Sequence, residues 1–285
     1  MSATAPRLEV ENLRVRFATQ TGVVEAVRGV SFTVAGEKIG IVGESGSGKS
    51  TVGRALLKLV PRPGVVTADR LSFGGTDLLA ASERAMRRVR GARIAMILQD
   101  PRHALNPVMR VGAQIEEAVR VHERVGRGAA RRRALEMLGQ VRIRDPERVH
   151  AAFPHELSGG MGQRAMIAIM LAAGPELLIA DEPTSALDVT VQAQVLAILD
   201  DLVSGRGMGL IFISHDLELV ASFCDRVLVM YAGRILESLS AKDLNEARHP
   251  YTRGLLACLP RLERRGGPLP TLTRDPAWLG EAIPP

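Results

Sequence analysis

An eight-residue segment carries the clearest chemistry in this chain, because it fits the spacing G-x-x-x-x-G-K-[ST] at every defined position. Its residues are Gly43, Glu44, Ser45, Gly46, Ser47, Gly48, Lys49 and Ser50. Residues 38–42 read as a short buried strand, and residues 51–59 have apolar side chains at helical spacing. A glycine-rich turn leading into a helix directs backbone N–H groups and the helix dipole at an anion. We therefore predict a nucleotide site in which Lys49 contacts the β- and γ-phosphates and the Ser50 hydroxyl ligates Mg²⁺.

Polar side chains follow two further apolar runs. Residues 177–180 lead directly into Asp181 and Glu182, and residues 94–98 lead into Gln99, followed by Pro101, which is expected to stop the chain from continuing as a helix. The carboxyl ends of strands are where open α/β sheets place their chemistry. Asp181 is suited to hold Mg²⁺ through its hydration shell, and Glu182 is suited to orient and deprotonate a water molecule.

The alternative for the two carboxylates is a solvated turn. The preceding buried strand and the phosphate loop elsewhere in the chain favour the functional interpretation. Taken alone, Gln99 is better explained as a loop residue. His215 follows the apolar run at 210–214 and also falls at the carboxyl end of a predicted strand.

A second anion site is predicted where Ser158, Gly159 and Gly160 open an apolar helix at 161–172. A serine cap and two glycines leave a helix N-terminus open to an anion. Two phosphate-binding helix N-termini in one chain suggest that two chains share two nucleotides.

The composition is that of a globular protein, since 46% of its 285 residues are hydrophobic. The longest apolar candidate, residues 165–173, is shorter than the roughly 18 residues that cross a bilayer. Residues 1–6 lack the regions of a signal peptide, so we expect a protein of the cytosol. With Cys224 and Cys258 as the only cysteines, neither a disulfide framework nor a four-cysteine metal site is available.

The net charge of +6 rests on arginine. Arg131, Arg132 and Arg133 lie within a charge-dense helical pattern at 111–144, which could be a nucleic-acid patch or the exposed face of an amphipathic helix. The stretch lacks aromatic residues for base stacking, so the second interpretation is favoured and no nucleic-acid partner is predicted.

Residues 8–17 alternate with the period of a half-buried strand, and residues 30–34 predict another. Phe17 has two interpretations. It is either the last inward residue of its strand or a ring that stacks on an adenine base.

These motifs stand in the order of the nucleotide-binding domain of ABC transporters, which the chain resembles over about residues 8–237. The resemblance rests on the phosphate loop, Gln99, Leu157-Ser158-Gly159-Gly160 with Gln163, the strand ending in Glu182, residues 185–188 and His215. A Leu-Ser-Gly-Gly signature upstream of an Asp-Glu-ended strand separates this family from kinases and GTPases. Residues 99–107 and 249–256 look like the subfamily that imports oligopeptides, dipeptides and nickel.

The resemblance implies an α/β fold with a phosphate-loop (RecA-like) ATPase core, an N-terminal antiparallel β subdomain and a helical insertion. It implies a nucleotide-binding domain at 7–248, with the helical subdomain at about 100–172. Residues 249–285 then form a C-terminal extension of the peptide-importer type.

The resemblance also implies residue roles. Phe17 stacks on adenine, the phosphate loop and Thr51 bind ATP, and Mg²⁺ is held by Ser50, Gln99 and Asp181. The residues implied in catalysis are Glu182 as general base, His215 on the γ-phosphate, Gln99 as sensor of Mg²⁺ and the attacking water, and Lys49. Ser158, Gly159 and Gly160 bind the partner subunit's ATP, and Asp188 helps to join the two sites.

Two departures from the family pattern carry expectations. Gly162 stands where subfamily members generally have a larger, often basic residue, which lowers helix propensity by roughly 1 kcal/mol against alanine and is expected to tune function. Many peptide-import members carry C-terminal cysteines that hold an iron–sulfur cluster. The chain after Leu259 has no cysteine, so no iron–sulfur cluster is predicted.

The function implied is that of an ATP-hydrolysing subunit of a membrane importer of peptides, with nickel or another small solute as the alternative. A soluble ABC ATPase acting on nucleic acid or ribosomes is a weaker alternative, because such proteins generally carry two fused domains or a long coiled coil. The implied partners are two integral membrane permease subunits, a second ATPase that is a different chain or another copy, and indirectly an extracytoplasmic solute-binding protein. The implied location is the cytoplasmic face of the cell membrane.

Overall fold

The computed structural model describes residues 7–185 and 187–259, together with 272, 275, 277 and 278. The described chain divides into two compact units. The first is formed by Ala80–Ile211, and the second by Arg7–Leu79 and the chain from Phe212 onward. Residues 1–6, Ala186 and most of the expected extension at 249–285 lie outside the described residues.

The second unit contains the expected antiparallel sheet. Its strands are β1 (Leu8–Thr19), β2 (Gly22–Val34), β4 (Gly64–Thr67), β5 (Arg70–Phe73) and β6 (Thr76–Asp77), in the order β2-β1-β5-β6 with β4 also paired to β1. The predicted strand at 8–17 is confirmed. Its buried side chains are Leu8, Val10, Leu13 and Val15, and the alternation shifts by one residue at the register shift between Val10 and Leu13. β2 is longer than the predicted strand at 30–34, because β1 and β2 form one hairpin whose last pair is Thr19 and Gly22.

The second unit also contains β3 (Lys38–Val42), followed by α1 (Lys49–Leu56). β10 (Arg226–Tyr231) runs parallel to β3, and β11 (Arg234–Ser240) runs antiparallel to β10. Two helices complete this part, α9 (Leu217–Phe223) and α10 (Pro250–Ala257), with a 3-10 turn at Ala241–Glu246 between β11 and α10. α9 packs closely on β3: a Cβ at Gly40 would lie 1.9 Å from the Val220 Cγ1.

The first unit combines two parallel strands with helices. β7 (Ile94–Ile97) pairs with β8 (Leu177–Asp181) from Ile94 opposite Leu177 to Ile97 opposite Ala180. All five residues of β8 are buried, as expected for a strand covered on both faces. Its helices are α2 (Glu83–Val89), α3 (Pro101–Ala104), α4 (Val111–His122), α5 (Arg127–Gln140), α6 (Pro146–Ala151), α7 (Gly159–Leu171) and α8 (Val189–Arg206). The division between the units falls within the next strand, β9 (Gly209–Ser214).

Two local expectations in this unit were wrong. Pro101 does not prevent a helix; it occupies the first turn of α3, where a missing N–H costs nothing, and the Asp100 carboxylate accepts a hydrogen bond from the Arg102 N–H at 2.8 Å. The helical pattern at 111–144 is two helices, because Glu123 is extended and Gly126 caps a new helix.

None of the helices described across residues 7–185, 187–259 and the four isolated positions is long and apolar enough to cross a bilayer.

Candidate functional site

The phosphate loop in the second unit is built around Lys49. Its side chain is 5% exposed, and its Nζ donates to the Gly43 carbonyl at 2.7 Å and to the Glu44 carbonyl at 2.9 Å. The ammonium group therefore lies inside the curve of the loop, where it can reach an anion that the loop surrounds.

Two glycines are needed where this loop passes close to other backbone. Gly43 has φ +153°, and a Cβ there would lie 2.0 Å from the Met230 carbonyl oxygen. Gly48 has φ +100°, and its Cβ would lie 2.4 Å from the Ala26 carbonyl oxygen. The loop can keep this path only with glycine at both positions.

The loop ends in an N-terminus suited to an anion. Gly48 is the N-cap of α1 and has no side chain that could satisfy the first N–H groups of the helix. Ser50 and Thr51 lie in that first turn, half-buried. The buried ammonium, the first-turn N–H groups and the Ser50 hydroxyl form the donor set that a phosphate with Mg²⁺ requires. The residues present therefore fit the predicted nucleotide.

The first unit brings together the glutamine and the carboxylate that follow its parallel strands. The Gln99 Nε2 donates to the Glu182 Oε2 at 3.0 Å, after β7 and β8 respectively. Asp181, the last residue of β8, is 3% exposed. Glu182 has φ +47°, a strained conformation for a non-glycine residue. Strain of this kind persists where the surrounding structure holds the residue in place.

The predicted signature segment opens α7 in the same unit. Ser158 is the N-cap, and its Oγ accepts a hydrogen bond from the Met161 N–H at 3.4 Å. Gly159 and Gly160 form the first turn, and a Cβ at Gly160 would lie 2.8 Å from Val191 Cγ1 of α8. Gln163 is 2% exposed and donates through Nε2 to the Pro183 carbonyl at 2.6 Å. The helix is thus tied to the backbone immediately after Glu182.

Three other predicted site residues lie on or next to strands and helices of the fold. Phe17 is half-buried on β1 opposite Gly64 of β4, and a Cβ at Gly64 would lie 2.7 Å from its ring. His215 is exposed directly after β9. Asp188 caps α8 by accepting a hydrogen bond from the Val191 N–H at 3.0 Å.

A sequence profile of the family described as "ABC transporter" matches residues 27–185. The chain belongs to the ABC transporter family. The family match confirms the resemblance drawn from the motif order. The solved structures that resemble this chain confirm the α/β phosphate-loop fold.

Curated relatives in the ABC family are similar over most of the chain. A "Probable peptide ABC transporter ATP-binding protein y4tR" of Sinorhizobium fredii is 54% identical over 263 residues, covering 91% of this chain and 78% of that protein. An "Oligopeptide transport ATP-binding protein OppD" of Bacillus subtilis is 50% identical over 280 residues, covering 94% and 78%. Among solved structures, the "Dimeric structure of a post-hydrolysis state of the ATP-binding cassette MJ0796 bound to ADP and Pi" matches with a TM-score of 0.71 and 25% identity, covering 82% of this chain and 98% of that one.

A cavity of about 530 Å³ lies in the first unit of this ABC protein. It is bordered by the chain after β7, the N-terminal part of α7 and the chain after Glu182. Its lining residues include Gln99, Leu105, Ser158, Gln163, Pro183 and Leu187. Gln99 and the N-terminus of α7 therefore share one concave surface.

Sequence reasoning missed two contacts in this ABC protein. Gln163 was assigned only to the signature pattern, but its buried amide joins α7 to the chain after Glu182. Tyr251 was noted only within a subfamily stretch, yet its hydroxyl accepts a hydrogen bond from the Glu44 N–H of the phosphate loop at 3.2 Å. One signal was available, since the phenol of a buried tyrosine usually needs a polar partner.

Proposed function

We propose that this chain is the ATP-hydrolysing subunit of a membrane importer and that the solute taken up is a peptide. Membership of the ABC family and relatives named for peptide and oligopeptide transport support the proposal. Nickel or another small solute is the alternative, and these relatives' names favour peptides over it. The observation that carries the ATPase part is the Ser158-capped helix tied by Gln163 to the backbone that follows Glu182, since a signature helix is what other phosphate-loop enzymes lack.

Nucleotide binding is assigned to the phosphate loop. Lys49 holds the β- and γ-phosphates, the loop and Thr51 donate backbone N–H groups, and Phe17 stacks on the adenine. Ser50, Asp181 and Gln99 carry the oxygen atoms that would hold Mg²⁺. Bound Mg²⁺ supplies neutralisation of the phosphate charge.

Hydrolysis is assigned to Glu182 as the general base that takes a proton from the attacking water. The hydrogen bond from Gln99 to the Glu182 Oε2 supports this role, because it fixes the direction of the carboxylate. His215 contacts the γ-phosphate. A positioned base of this kind contributes typically about 10²- to 10⁴-fold to the rate.

Coupling is assigned to a pair of ATPase subunits. Ser158, Gly159 and Gly160 bind the ATP held by the other subunit, so a site is complete only when the two subunits close, and Asp188 helps to join the sites. The dimeric state of the MJ0796 cassette with ADP and Pi supports a two-chain arrangement. Hydrolysis releases the signature contacts, and the opening of the pair is conveyed to membrane subunits.

The partners that this function needs are two integral membrane permease subunits and a second ATPase subunit, which we infer to be a non-identical chain rather than another copy. An extracytoplasmic solute-binding protein delivers the peptide. The chain then works at the cytoplasmic face of the membrane, without an iron–sulfur cluster.

The test is affinity purification of the chain from detergent-solubilised membranes, with identification of co-purifying proteins by mass spectrometry. Two multi-span membrane proteins and a second ATPase are expected. Recovery only from the soluble fraction, together with ribosomes or DNA, would overturn the transport function while leaving the ATPase intact.

A further inference from the structure

The peptide unit that joins Gly43 to Glu44 is held at both ends. Its carbonyl oxygen, on Gly43, accepts a hydrogen bond from the Lys49 Nζ at 2.7 Å. Its N–H, on Glu44, donates to the Tyr251 hydroxyl at 3.2 Å. Lys49 and Tyr251 therefore fix the plane of one peptide at the start of the phosphate loop, from opposite sides.

Tyr251 is itself rigidly placed. Its side chain is 0% exposed, and its ring centroid lies 4.7 Å from that of Tyr231 on β10 and 5.5 Å from that of Trp278. Aromatic packing at these distances leaves the phenol little freedom. The hydroxyl is consequently presented to Glu44 at a fixed position.

The start of α10 is anchored in the same unit. The buried Glu237 of β11 accepts hydrogen bonds through Oε1 from the Arg248 N–H at 2.7 Å and the His249 N–H at 3.3 Å. His249 then caps α10 by accepting from the Tyr251 N–H at 3.1 Å. A continuous set of buried polar contacts thus runs from β11 to Tyr251.

We propose that Tyr251 is a positioning residue of the nucleotide site, through which the segment 248–257 holds the phosphate loop in its binding conformation. The inference rests on the proposed ATPase function. When a phosphate draws the Lys49 ammonium away from the Gly43 carbonyl, Tyr251 still holds the same peptide from its N–H side. The loop then keeps its curvature without reorganising, which favours nucleotide binding.

The test compares Tyr251→Phe with Tyr231→Phe in the purified full-length chain. Both variants lose one phenol hydroxyl from the same aromatic cluster, but only Tyr251 contacts Glu44 among the contacts described for the two residues. The Kd for MgADP is measured by titration calorimetry, and the urea midpoint is measured in parallel. Tyr251→Phe is expected to raise the Kd about five-fold, the factor that one neutral hydrogen bond contributes, while Tyr231→Phe leaves it within about two-fold.

In the assembled complex the same change is expected to raise the KM for ATP and leave kcat close to wild type, because the Tyr251 hydroxyl bonds to a backbone N–H of the loop and acts on binding through it. An unchanged Kd in Tyr251→Phe, or an equal rise in both variants that follows their urea midpoints, would overturn the inference. Lys49→Ala distinguishes a failure of the Tyr251 inference from a failure of the proposed function. If the wild-type chain binds MgADP and Lys49→Ala does not, an unchanged Tyr251→Phe removes only the inference; if the wild-type chain binds no nucleotide, the proposed function itself fails.

Discussion

At the scale of single residues, Glu182 and Lys49 divide the proposed chemistry. Glu182 is held in a strained backbone conformation and receives a hydrogen bond from Gln99, which orients its carboxylate. Lys49 is buried, and its ammonium donates to loop carbonyls. One side chain is built to accept a proton and the other to bind an anion, so their removal has different consequences.

Replacing Glu182 with glutamine is expected to slow ATP turnover by roughly 10²- to 10⁴-fold while ATP binding persists, because the amide keeps the shape but cannot accept the proton. Steady-state hydrolysis and equilibrium nucleotide binding measure the two effects. Glu176→Gln is the matched control: it precedes β8, the strand that Glu182 follows, and pairs with Arg93 at 2.6 Å in a partly exposed ion pair. Its turnover is expected to stay near wild type, and near-normal hydrolysis in Glu182→Gln would remove Glu182 from its role.

Replacing Lys49 with alanine is expected to weaken nucleotide binding itself, because the loop loses its only charged donor between Gly43 and Ser50. Titration of the variant with MgATP measures the affinity. Lys242→Ala removes the same charge from an exposed position and is expected to bind like wild type. An unchanged affinity in Lys49→Ala would contradict the phosphate-loop assignment.

At the scale of elements, α7 contains two glycines in different surroundings. A Cβ at Gly162 would meet only Pro101 carbons at 3.8 Å, an ordinary contact, whereas a Cβ at Gly160 would lie 2.8 Å from Val191 Cγ1. A larger residue therefore fits at position 162 without displacing a neighbour, whereas at position 160 it would displace Val191. The space beside Gly162 would therefore accept a larger side chain, and the expectation that this glycine tunes function stays a prediction.

Gly162→Ala is expected to raise the free energy of unfolding by up to about 1 kcal/mol through helix propensity. Gly160→Ala is expected to lower it by about 1–3 kcal/mol, because α7 and α8 must separate or Val191 must leave its rotamer. Urea unfolding of the two variants measures both changes. Equal effects from the two substitutions would show that the packing difference between these positions is not decisive.

Elements with a strong local pattern were predicted well. β3 matches the predicted 38–42 residue for residue, and the buried runs at 94–98 and 177–180 are strands to within one residue. The region 111–144 was less well predicted, because its charge-dense helical pattern continues without interruption. The backbone nevertheless breaks between α4 and α5, where Glu123 is extended and Gly126 caps the second helix. Periodicity reports which face of an element is buried, not where the backbone interrupts it.

At the scale of the whole molecule, the two cysteines report on the fold. Cys224 lies at the end of α9 beside β3, where the position of a Gly40 Cβ would be 3.3 Å from its Sγ, whereas Cys258 is half-buried. Burial raises the pKa of the Cys224 thiol to about 12 from a usual value of 9.0. The folded chain therefore keeps this thiol protonated at pH values where an unfolded chain loses the proton.

Iodoacetamide at pH 8.5 is expected to alkylate Cys258 in the folded chain and to reach Cys224 only after unfolding, because the thiolate is the reactive species. Peptide mass mapping before and after denaturation measures the labelling. The raised pKa also means that the folded state binds more protons than the unfolded state above about pH 9, so the free energy of unfolding falls as the pH rises toward 12. Equal labelling of both cysteines in the folded chain would contradict the burial of Cys224.

The sequence by itself determined the family, and it predicted the phosphate loop, the two carboxylates at the end of β8 and the signature serine and glycines as the functional site. Each of these depends on residue types at fixed short spacing, which a local pattern reveals. The tertiary structure decided the contacts between segments that are distant in the chain. Gln99 and Glu182 are 83 residues apart, and Glu44 and Tyr251 are 207 residues apart. Such pairs follow from how strands and helices pack, and a single sequence records no distance between them, so the hydrogen bonds that orient Glu182 and hold the phosphate loop appear only in the fold.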